Sequence, residues 1–158
     1  MPVMYLFLKK YKSQNKWDMW AATDPDLEKD ITGSYEVSVS DNMDMVMETT
    51  RQLREFCNAH QLGAGKSFRI CLAVEEIAGN IVEHGFTGKK GKHFIDLRLT
   101  LEKDGSGCLS LRDNGVKFNP LEYRNRDTQY GLAIIRGISE KIDYHYVASM
   151  NCLNVMIR

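Results

Sequence analysis

The 158-residue sequence predicts an α+β sandwich. Three observations carry that expectation. Residues 34–40 set Tyr35, Val37 and Val39 against Ser34, Glu36, Ser38 and Ser40, the two-residue period of a half-buried strand. Two segments, 43–57 and 66–84, repeat apolar residues at helical spacing, and an Asp104-Gly105 hairpin signal separates two further strand-like runs. A strand, two helices, two strands, a helix and two strands in that order do not build parallel βαβ units.

Residues 1–33 read as an N-terminal extension or linker, and residues 34–158 as the domain. The apolar run Met1 to Leu8 is too short to cross a bilayer. Followed by Lys9, Lys10 and Lys12, it reads either as the cytoplasmic stub of a membrane segment in a longer parent chain or as a strand or arm. Residues 13–33 are polar, punctuated by Asp24-Pro25-Asp26, with Trp17 and Trp20 as apolar anchors.

Asp41 or Asn42 is placed to cap the first helix, whose apolar stripe runs through Met43, Val46, Met47, Thr50, Leu53 and Cys57 into the core and ends near Gly63. The second helix spans 66–84 and is followed by a glycine-bearing loop. Strands are expected at 93–101 and 108–112, a short helix at 131–140, and a final strand pair at 142–147 and 152–157 around a connection at 148–151.

Lys+Arg and Asp+Glu are both 21, giving a formal net charge of zero, and no basic run interleaves with aromatics. That excludes a nucleic-acid platform. Cys57, Cys71, Cys108 and Cys152 form no C-x-x-C and share no zinc spacing with the histidines; they read as reduced residues of a cytoplasmic protein. Gly65-Lys66-Ser67 ends like a phosphate loop, yet His60 stands where that motif needs glycine and a helix precedes it where the motif needs a strand.

The chemistry concentrates elsewhere. Glu76, Asn80 and His84 recur every four residues, which puts a carboxylate, an amide and an imidazole on one helix face. Downstream, a strand-like run stops at Asp113-Asn114-Gly115, followed by Phe118, and Gly131-Leu132 opens a helix. This constellation resembles the histidine-kinase-like ATPase superfamily, the Bergerat fold. Glu76-x-x-x-Asn80 matches its N box, Asp113-x-Gly115-x-x-Phe118 its G1 box and Gly131-Leu132, more loosely, its G2 box, over about residues 35 to 158.

Within the superfamily the chain looks most like the bacterial anti-sigma-factor serine-protein kinases, on Phe56-Cys57, Leu72-Ala73-Val74-x-Glu76, Asn80-x-Val82-x-His84-Gly85-Phe86 and Phe118-Asn119-Pro120. The resemblance implies a two-layer α/β sandwich with a mixed, mostly antiparallel sheet and helices on one face. It also implies ATP and Mg²⁺ as cofactors, a sigma factor and a STAS-domain anti-anti-sigma protein as partners, and a homodimer. Glu76 would be the general base for a serine hydroxyl and Asn80 the Mg²⁺ ligand. Asp113 would accept the adenine amino proton, Gly115 would let backbone approach the base, and Gly131 with Leu132 would present helix-start N–H groups to phosphates. Arg124 and Arg126 are candidate γ-phosphate contacts, and His84 is either a phosphate contact or a packed helix-end histidine.

Gln129 stands where the G2 box usually carries its first glycine, and residues 119–129 contain no glycine. That departure leaves a second implied function, a non-catalytic regulatory module that binds ATP or a partner. A third, the catalytic domain of a histidine kinase, is disfavoured because residues 1–34 are too short and aperiodic for a dimerisation hairpin.

Overall fold

Strand β1, Ile31–Val39, opens the domain and starts earlier than its alternation suggests, its side chains alternating between helix-facing and outward positions. The structure, a computed structural model, describes residues 31–119, 122 and 129–158; the expected extension before Ile31 lies outside that range. Helix α1, Met43–Ala59, is capped by Asn42, whose Oδ1 accepts from the amides of Asp44 and Met45 at 2.8 and 3.4 Å. The other candidate cap, Asp41, pairs instead with His93 at 2.8 Å.

Helix α1 buries Val46, Thr49, Thr50, Leu53 and Cys57. Met43 and Met47, expected in that stripe, are 40% and 48% exposed. They lie on its flank at the start of the helix, and the Met43 Cε lies 3.4 Å from where a Gly79 Cβ would be. After α1 the chain passes through a left-handed residue at Gln61 and an uncapped turn at Gly63 into α2, Ala64–Asn80. Lys66, the lysine of the phosphate-loop look-alike, donates to the Gly105 carbonyl of a hairpin, so its ammonium is used structurally.

Strands β2 (Ile95–Glu102) and β3 (Gly107–Asp113) form the expected hairpin, with Gly105 at φ +86° and Asp104 Oδ1 accepting the Ser106 amide at 2.8 Å. Helix α3, Gln129–Ile138, leads directly into β4 (Ser139–Val147), and β5 (Met150–Ile157) completes the sheet. At that junction the Ser139 hydroxyl donates to the Ile135 carbonyl at 2.5 Å and satisfies a last-turn acceptor of the helix.

The sheet order is β1-β2-β3-β5-β4. All four described pairings are antiparallel, so the mixed component expected of the sheet is absent among the described residues. Because every neighbour along the order is antiparallel, short connections suffice except at the helical excursions. Leu97, Leu99, Leu109, Leu111, Leu153 and Val155 meet Leu53, Ile70, Val74 and Ile77 in one core with the helices on one face. Each such side chain contributes roughly 2 kcal/mol through burial.

The opposite sheet face is polar but not simply solvated. Arg112 and Asp96, cross-strand partners in register, pair at 2.9 Å with side chains 7% and 6% exposed. Cys57, Cys71, Cys108 and Cys152 are free thiols, all but Cys108 fully buried. Among the described residues no helix is long and apolar enough to cross a membrane.

Candidate functional site

The site grows from the C-terminal end of α2. Ile77, Ala78 and Gly79 are buried between Glu76 and Asn80, so the helix is pinned on both sides of the polar stripe. Glu76 is half-buried, and among the described residues it makes no hydrogen bond or ion pair. Asn80 is 4% exposed, and its Nδ2 has no partner among the described residues. A half-turn of the amide places either its nitrogen or its oxygen at that spot. A buried amide end left unpaired costs about 1–3 kcal/mol, an expense that a ligand at this position removes.

Beyond Asn80 the helix widens into a π-helical turn, Ile81–Gly85. The sequence predicted an α-helix continuing to His84; wider turns of this kind recur at functional sites because they break the regular register. His84 consequently lies against Glu83, Nε2 to Oε2 at 3.3 Å, with its ring centroid 6.4 Å from that of Phe118. Two of the predicted residues, His84 and Phe118, are thus neighbours.

The turn ends at the second half of the site. Gly85 accepts the Val116 amide at 2.9 Å. A Cβ on Gly115 would lie 2.4 Å from the Gly85 oxygen and 2.8 Å from Asp113 Oδ1. Glycine at 115 is therefore required by the backbone at the exit of α2 through the π-turn; the close approach visible here is protein on protein. Gly115→Ala is expected to force this junction apart, lowering stability by about 2 kcal/mol or more and weakening any ligand that spans it; thermal unfolding beside ligand titration checks both.

Asp113 ends β3 and is 3% exposed. Its Oδ1 accepts from the Gly115 amide and from Asn151 Nδ2, each at 2.9 Å. Its Oδ2 accepts no hydrogen bond among the described residues. Burial raises its pKa to about 6, against the lowering effect of the Asn151 and Gly115 hydrogen bonds. The carboxylate thus has one oxygen committed to the fold and, among the described residues, the other available as an acceptor, which an exocyclic amine needs.

Asn151 is the residue that the sequence reading missed. It lies opposite Asp113 in the β3–β5 register, 2% exposed. Its Nδ2 donates to Asp113 Oδ1 and to the Val116 carbonyl at 2.8 Å, while its Oδ1 accepts from the Phe118 amide at 2.9 Å and the Tyr144 hydroxyl at 2.6 Å. All four hydrogen-bonding valences of the amide are used, which fixes its orientation. Tyr144 is raised to about 12, by burial first and by the Asp113 charge second.

Gly131 and Leu132 lie near the start of α3, and only their helical backbone is described. Arg124 and Arg126 lie outside the described residues. The buried Asn80 amide, whose Nδ2 has no partner among the described residues, the buried Asp113 carboxylate and the glycine junction between them fit a magnesium–purine nucleotide: a hard oxygen donor at one end, a base acceptor at the other.

Comparison with known proteins agrees with this geometry. The family profile described as "Histidine kinase-like ATPase domain" matches residues 39–157. Comparison with curated proteins returns no match. Among solved structures, the RsbU and RsbW domains of a Mycobacterium tuberculosis protein superpose with a TM-score of 0.62 at 21% identity, covering 80% of this chain and 32% of that one. The present chain therefore spans under half of that relative. The SiaB–SiaC complex from Pseudomonas aeruginosa gives a TM-score of 0.60 at 16% identity, covering 92% of this chain and 100% of the matched one. Both likenesses show the fold, and the family match, extending over most of the sequence, places the chain in the histidine kinase-like ATPase domain family.

Proposed function

We propose that this chain is an ATP-dependent serine-protein kinase of the anti-sigma-factor type, acting in the cytoplasm on a STAS-domain antagonist and alternatively holding a sigma factor, as a homodimer. The observation that carries the reading is the pairing of a half-buried Glu76 that makes no hydrogen bond or ion pair among the described residues with the buried Asn80 one helical turn later, whose Nδ2 has no partner among them. When bound, Mg-ATP supplies the transferable phosphoryl group and the charge neutralisation it needs. Asn80 would hold the metal through its amide oxygen. Asp113 Oδ2 would accept a hydrogen bond from the adenine amino group, and Glu76 would take the proton of the incoming serine hydroxyl on its carboxylate.

The first turn of α3, with Gly131 and Leu132, offers backbone N–H groups and the positive end of the helix dipole to phosphate oxygens. Arg124 and Arg126 are proposed γ-phosphate contacts, and His84, beside Phe118, a proposed nucleotide contact. The two similar structures, titled as RsbU and RsbW domains and as a SiaB–SiaC complex, share the fold on which this reading is built.

One observation favours a second reading. Gln129 opens α3 where the G2 box usually has glycine; with a side chain there, the protein would bind nucleotide and partner without phosphoryl transfer. Incubating the protein and a STAS-domain partner with labelled ATP separates the two. The kinase reading expects phosphoserine with the parent protein and a loss of at least about a hundredfold in Glu76→Gln with ATP affinity retained, the range for a removed general base. Binding without transfer by the parent protein would establish the regulatory module instead.

A further inference from the structure

We infer that His93, held by Asp41, is a positioning residue for the Asp113–Gly115 wall, and that it acts only as an imidazolium. Its Nδ1 lies 2.8 Å from Asp41 Oδ2 and its Nε2 2.8 Å from the Lys89 carbonyl oxygen. A carboxylate and a carbonyl are both acceptors, so both ring nitrogens must carry protons for both contacts to exist. The ring stacks on Phe86, centroids 4.5 Å apart and planes 3° from parallel, and its side chain is 14% exposed.

What the clasp holds is the wall itself. Phe86 follows Gly85, the residue that accepts the Val116 amide. The residues flanking His93 grip Asn114 from both sides: Asn114 Nδ2 donates to the Lys92 carbonyl at 2.7 Å, and its Oδ1 accepts the Phe94 amide at 3.0 Å. Asn114 sits between Asp113 and Gly115. One imidazole thus ties the connection before α1, the loop after the π-turn and the start of β2 to the segment carrying the base acceptor.

Among the described residues, the charged groups acting on His93 are Asp41, from the β1–α1 connection, and Lys89, from its own loop. The hydrogen bond from Asp41 dominates and holds the imidazole above its ordinary value; partial burial and the Lys89 charge oppose it. A neutral ring has a single N–H, so as pH rises through the folded pKa one of the two contacts is lost and the loop is released. Asp113 works in the opposite sense, losing its acceptor character as pH falls through about 6. If the site binds ATP as proposed above, affinity has a plateau bounded by these two groups.

Nuclear magnetic resonance of the nucleotide-free protein tests the clasp without relying on the ATP reading. From pH 5.5 to 9 (roughly the histidine range), the Val116 and Asn114 signals are expected to titrate together with the His93 ring. Asp41→Asn should lower that shared midpoint by about one unit, the loss of a single charged partner, and His93→Gln should abolish it while a lower limb from Asp113 persists. Val116 and Asn114 signals that ignore the His93 titration, or a midpoint unmoved in Asp41→Asn, would overturn the inference. Mg-ATP titration across the same range adds a second readout: an alkaline loss of affinity that shifts with Asp41→Asn supports the coupling, and an alkaline limb insensitive to that substitution contradicts it. A parent protein that binds no nucleotide removes the ATP reading and leaves the spectroscopic result to decide the clasp.

Discussion

Asp113→Asn is expected to make the protein more stable and to cost it at least about a hundredfold in ATP affinity. The two effects have one origin. The carboxyl is raised to about 6 by burial, well above the ordinary aspartate value, so the folded state binds a proton more tightly than the unfolded chain. A carboxylate shifted upward in this way costs stability as pH rises from about 4 through about 6, and the full cost, roughly 3 kcal/mol at 1.36 kcal/mol per unit, stands at neutral pH. Asparagine keeps an oxygen for the Gly115 amide and Asn151 Nδ2 and removes the buried charge. It also presents an N–H where Oδ2 was, replacing an acceptor with a donor opposite an amino group, a mismatch worth about 3 kcal/mol or more. Thermal melts at pH 5 and pH 7.5 (illustrative values about one unit either side of the shifted pKa) check the first effect: the gain should be large at the higher pH and shrink at the lower.

Asn151→Ala is the second large expectation. It removes the partner of Asp113 Oδ1, the Val116 carbonyl, the Phe118 amide and the Tyr144 hydroxyl together. With several buried polar groups left unpaired at about 1–3 kcal/mol each, offset by water entering the gap, a net loss of about 4 kcal/mol is expected. Denaturant unfolding measures it. Asn151→Asp distinguishes packing from chemistry: it is nearly isosteric but sets a second carboxylate against Asp113. Nucleotide affinity should then begin to fall at a higher pH than in the parent protein, because like charges push the Asp113 titration upward.

The order of strands and helices was legible because each element carried its own periodicity and punctuation: the alternation of residues 34–40, the Asn42 cap and the Asp104-Gly105 turn. The two motifs of the candidate site were legible for a related reason. Glu76 with Asn80 and Asp113 with Gly115 are local patterns, separated by one turn of helix or by two residues. Asn151 was not legible because its role depends on cross-strand register. The β4–β5 turn is made by Ala148 and Ser149 at φ +52° and +59°. Neither residue has the usual left-handed preference of glycine or asparagine, so the turn looked longer and Asn151 seemed part of it. The π-turn after Asn80 has no composition of its own, since Ile81 and Val82 continue the apolar rhythm; only packing against Gly115 reveals it. Met43 and Met47 mark the converse error, in which periodicity identified a helix correctly but could not say where its buried stripe ends.

The same distinction separates the clasp from the motifs. His93 and Asp41 are 52 positions apart, on either side of two helices. Nothing in the spacing of the sequence joins them. Yet the residues on either side of His93 fix Asn114, so a long-range ion pair bears on a motif that was visible at once.

Calorimetric titration of the full chain with Mg-ATP at pH 7.5, taken beside Asp113→Asn under the same conditions, bears most directly on the site described here. The account predicts saturable binding with one nucleotide per chain by the parent protein and a loss of at least about a hundredfold in the variant. Absence of binding by the parent protein, or equal affinity in Asp113→Asn, would contradict it.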